Sequence, residues 1–97
     1  MDLLSDDIRR LMGIMRSSMT TDDIFFHVMN QIARKIPKLQ RLRQDEYIPG
    51  QFNEEVAEMA ILVAMLRDIG GVSDFVLSNK IVKIIEDANK TYGKYRE

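Results

Sequence analysis

Cysteine is absent from the chain, and with it go disulfides, thiol nucleophiles and thiolate metal ligands. The absence fits a reducing compartment, and the cytoplasm is the expected location. Tryptophan is missing too, and histidine occurs once, at His27, so zinc would find no second soft ligand. Charge of one sign is also lacking. Fourteen basic residues face 15 acidic ones for a net charge of -1, so any affinity for nucleic acid or anionic lipid has to be local. No apolar run approaches the roughly 20 residues of a membrane span, and Met1-Asp2-Leu3-Leu4-Ser5-Asp6-Asp7 opens acidic where a secretory signal opens basic. No membrane partner is expected. Alternating strand patterns, internal repeats and low-complexity tracts are likewise missing, which leaves an all-α reading.

What is present is a chain of 97 residues, 45% hydrophobic and 30% charged, enough for one domain over residues 1–97 with one core. Ser5 is placed to cap a first helix running to about Ser17, with Asp6 and Asp7 at the positive end of its dipole. Leu4, Ile8, Leu11, Met12 and Met15 form its inward stripe. Thr20 and Asp23 carry the spacing of a capping box, so a second helix starts near Thr21, with Ile24, Phe25, Val28, Met29, Ile32 and Ile36 along one side. Pro37 is expected to kink or end that helix, with a further short helix from Pro37 to Glu46. Tyr47 to Phe52 reads as a loop around a type II turn at Pro49-Gly50.

Asn53 then caps a third helix, Glu54 to Ile69, closed by Gly70-Gly71. Its eight consecutive apolar residues, Met59 to Leu66, cover its whole circumference, so it needs neighbours on every side. Ser73 caps a fourth helix with the stripe Leu77, Ile81, Ile84, Ile85, Ala88 and Tyr92, expected to face inward. The fold expected is a compact four- to five-helix bundle around a central hydrophobic third helix. So oily a helix in so short a chain also suggests an outside companion.

Three features are candidates for function. Arg34, Lys35, Lys38, Arg41 and Arg43 fall within ten positions that hold no acid, and a helix would gather Arg34, Lys38 and Arg41 into a ridge able to follow phosphates. The plain alternative is a solvated face pairing with acids such as Asp45, Glu46, Glu54 or Glu55. Met12, Met15 and Met19, with Ile61 and Met65, are candidates for a protein interface, methionine being adaptable at recognition surfaces, although ordinary core packing accounts for the same spacing. His27, with Asp23 one turn earlier, reads as a histidine making a surface hydrogen bond, because no nucleophile stands nearby in sequence.

Glu54, Glu55 and Glu58, with Asn89, Lys90 and Tyr92, form a pattern that resembles the second half of the MazG-type all-α nucleotide pyrophosphohydrolases, over Glu54 to Tyr95. The resemblance implies acidic clusters on neighbouring helices, magnesium between them, and a nucleotide substrate. The chain departs from that pattern in two places: Phe25 to Gln31 occupy the stretch where the family has a Glu-Glu-x-x-Glu helix, and Glu58 replaces an aspartate. The function expected is a small non-catalytic interaction subunit or adaptor, self-associating or part of a larger assembly. Contact with nucleic acid through the basic ridge is the secondary expectation and pyrophosphohydrolase activity the alternative. No cofactor, metal or small-molecule substrate is expected.

Overall fold

A computed structural model describes residues 5–45 and 48–93. Among them are four helices and no strand: α1 (Ser5–Arg16), α2 (Thr21–Gln44), α3 (Pro49–Gly70) and α4 (Asp74–Tyr92). The all-α reading holds.

Several ends follow the sequence signals. Before α2, the Asp23 backbone N–H donates to Thr20 Oγ1 at 3.1 Å, and Asp23 Oδ2 accepts from the Thr20 N–H at 3.2 Å, closing the capping box. Ser73 Oγ accepts from the Val76 N–H at 3.3 Å and starts α4. Gly71 ends α3 at φ 62°, a left-handed conformation that a side chain would strain.

The prolines behave otherwise. Pro37 lies inside a continuous 24-residue α2 and does not divide it. Its position is exposed, so water can take the carbonyl one turn earlier that its missing N–H leaves without a partner. Lys35 and Lys38, on either side of it, both bind α3. Pro49 is no turn residue. It occupies the first turn of α3, where a missing N–H costs nothing, so the helix starts before Asn53, and Ile48 precedes it as the cap. Tyr47 and the end of the expected short helix at Glu46 lie outside the described residues.

The core gathers at one end. Ile8 and Met12 of α1, Ile24 and Val28 of α2 and Met65 of α3 are buried together, bordered by Met15, Met19 and Ile61. Helices α2 and α3 form the main pair, and α1 packs on both. Ile36, expected to face inward, is exposed, whereas Leu42 further along α2 is buried.

Neither compactness nor a fully enclosed third helix is found. The radius of gyration is 16.6 Å, against about 13 Å for a compact chain of about 100 residues, and the dimensions are 53 × 38 × 23 Å. Of Met59 to Leu66 only Met65 is buried, and Val63 is 52% exposed. Helix α4 is the cause of the elongation. It packs on none of the other helices and has no buried residue, so the stripe expected to face inward lies in solvent.

Candidate functional site

The basic segment of α2 lies beside the acidic first half of α3. Lys35 Nζ donates to Glu55 Oε1 and to Glu58 Oε1, both at 2.7 Å, and Lys38 Nζ donates to Glu55 Oε2 at 3.3 Å. The side chains of Lys35 and Glu55 each keep only 12% of their exposure, so the pair is partly shielded from water. The hydrogen bond from Lys35, with desolvation opposing it and the Lys38 bond adding to it, holds the Glu55 carboxyl below its ordinary value. The bonds to Glu55 and then Glu58 push the Lys35 ammonium above its own.

Two of the five candidate nucleic-acid contacts, Lys35 and Lys38, are thus occupied by carboxylates of the same chain. Arg43 stacks its guanidinium over the Phe52 ring, 5.8 Å from the centroid. Arg34 and Arg41 are exposed, and neither forms an ion pair with a described residue. The ridge that the sequence outlines is therefore reduced on the α3 side. Glu55 was among the acids named for such pairing, while the part of Glu58 became visible only once α2 and α3 were laid side by side.

The same carboxylates bear on the resemblance to the pyrophosphohydrolases. Glu55 and Glu58 do converge, but the cation between them is the Lys35 ammonium. Among the described residues no three side chains of His, Cys, Asp or Glu are grouped to hold a metal. Asn89, Lys90 and Tyr92 stand on α4, which does not pack on α3. This donor set does not fit magnesium, because two carboxylates already bridged by lysine leave too few oxygen ligands for the ion.

His27 is exposed and lines a shallow cavity of about 250 Å³ with Gln31, Lys35, Glu58, Ile61 and Leu62. Asp23 is engaged in the capping box, and the surface hydrogen bond expected of His27 is not formed to any described residue. Among the described residues no serine, threonine or cysteine lines the cavity, and the Lys35 amine there is bound to Glu55 and Glu58.

The methionine candidates lie within the chain's own packing. Met12 is fully buried and Met65 is 4% exposed, while Met15, Met19 and Ile61 pack against them at the border. Their side chains fill the space between α1, α2 and α3, which is the ordinary core reading of the same spacing.

The uncovered apolar surface is elsewhere. Leu77, Ile81, Ile84, Ile85 and Tyr92 of α4 are each between 43% and 66% exposed. Phe26 and Ile36 on α2 add separate exposed positions. Helix α4 is tied to the body at its start, where Arg67 Nε donates at 3.0 Å to the carbonyl of Val72, just before the Ser73 cap, and the Arg67 guanidinium pairs with Asp74 in the first turn. No protein-family model, curated protein or solved structure matches the chain.

Proposed function

We propose that the protein is a small non-catalytic helical subunit that works by associating with another copy of itself. The observation that carries this reading is α4: 19 residues with a well-formed apolar stripe and no packing partner among the described helices. Helices in proteins draw most of their stability from tertiary packing of such a face, and an apolar patch of this kind marks an interaction surface. The partly open α3, with Val63 half exposed, supports the same reading. No described helix is long and apolar enough to cross a membrane, so a bilayer-spanning role for α4 is not the use proposed for its stripe.

Light scattering across the micromolar range tests the reading. A mass rising from 11.3 kDa towards twice that value supports it, and a constant monomer mass contradicts it. The non-catalytic part predicts no pyrophosphate release from any nucleoside triphosphate with magnesium or manganese.

Contact with nucleic acid is a second reading, favoured by the exposure of Arg34 and Arg41 two turns apart on α2. It predicts a gel shift that weakens steeply with salt and is lost when both are replaced by glutamate. A shift that survives the two replacements contradicts it.

A further inference from the structure

Resting on the self-association reading and going beyond it, we infer that α4 pairs with α4 of a second copy in antiparallel register, on a two-fold axis between Ile84 and Ile85. The stripe has an internal symmetry that suits this arrangement. Leu77, Ile81 and Ile84 stand as far before the midpoint as Tyr92, Ala88 and Ile85 stand after it. At about 100° per residue all six point within about 50° of one direction. Antiparallel pairing sets Leu77 against Tyr92 of the second copy and Ile81 against Ala88, a large residue against a small one, with the four isoleucines 84 and 85 meeting at the centre.

The charges agree with this orientation and not with the parallel one. Lys80 and Asp87 lie on the same flank of the stripe. In an antiparallel pair a flank meets its own counterpart, so Lys80 of each copy comes within about one helical rise of two residues, roughly 3 Å along the axis, of Asp87 of the other. Two equivalent ion pairs result. In a parallel pair that flank meets Ser78, Val82, Ile85 and Asn89, which carry no charge. Antiparallel helix dipoles add to the preference.

The area is in the range such a contact needs. Five large side chains about half exposed offer on the order of 500 Å² per copy. The total of roughly 1,000 Å² stands at the lower bound of a specific interface, which suits reversible association at micromolar concentration.

The native absence of cysteine makes the register directly measurable. Full-length Ile81→Cys and Ala88→Cys chains are oxidised separately and mixed, beside sedimentation of the unmodified protein. A disulfide forming chiefly in the mixture supports the proposal, because positions 81 and 88 face each other while 81 and 81 lie too far apart. Self-crosslinking of Ile81→Cys chains indicates parallel pairing and overturns the register while leaving self-association intact. Dimers that form no disulfide in any mixture overturn the role of α4 alone. A protein monomeric throughout overturns both.

A charge test works independently. Lys80→Glu and Asp87→Lys each weaken dimerisation several-fold, and mixing the two variants restores it, because every cross pair again has opposite signs. Unchanged association of either variant contradicts the assigned contact.

Discussion

Lys35 bridges α2 to two carboxylates of α3, and those partners fix how the contact answers to pH. The Glu55 carboxyl is held below its ordinary value, so its stabilising contribution is complete above that value and is lost as pH falls through the lowered one. The Lys35 ammonium is held above its ordinary value, so its contribution is complete below that value and is lost as pH rises through the raised one. Thermal unfolding followed from neutral to acid pH should show stability falling across the carboxylate range, and Glu55→Gln should flatten that slope. In the core, Ile24 is fully buried among Ile8, Met12, Val28 and Met65. Ile24→Ala should therefore cost about 2–5 kcal/mol, read from denaturant titration. The basic run was plain in the sequence, and Glu55 was among the acids named to pair with it. The part of Glu58, and which lysines pair, were not legible, because a pairing across 20 residues or more depends on how two helices are laid together.

At the scale of elements, the sequence was most informative where one residue acts on its nearest neighbours. The Thr20–Asp23 capping box, the Ser73 cap and the left-handed Gly71 are all local geometries and all formed as expected. Pro49 was read wrongly as a turn residue, and the division of α2 expected as one outcome at Pro37 did not occur, because proline is compatible with more than one local outcome. At Pro49 the first turn of a helix absorbed it, and at Pro37 the packing of α2 on α3 outweighed its lost hydrogen bond. That second balance predicts that Pro37→Ala stabilises the protein, by up to about 3 kcal/mol, with the gain appearing in the thermal midpoint. Gly71→Ala should destabilise by about 1 kcal/mol, since alanine resists the φ of 62° that closes α3. The stripe of α4 was equally legible as a stripe. Periodicity identifies a face without saying what covers it, which is why that face was assigned inward and lies in solvent.

At the scale of the whole molecule, a three-helix body with its core at one end carries a fourth helix that stands apart, tied at its start by Arg67, which binds Val72 just before the helix and Asp74 within it. The methionines proposed for an interface pack within the body, and the apolar face of α4 is left in solvent. If a second copy covers that face, the ordering of α4 depends on protein concentration while the ordering of the body does not. Amide hydrogen exchange measured segment by segment on dilute and on concentrated protein tests this most directly. The account predicts that the amides of 74–92 exchange quickly in dilute solution and become protected on concentration, with 21–44 unchanged. Protection of α4 that is the same at every concentration would contradict it.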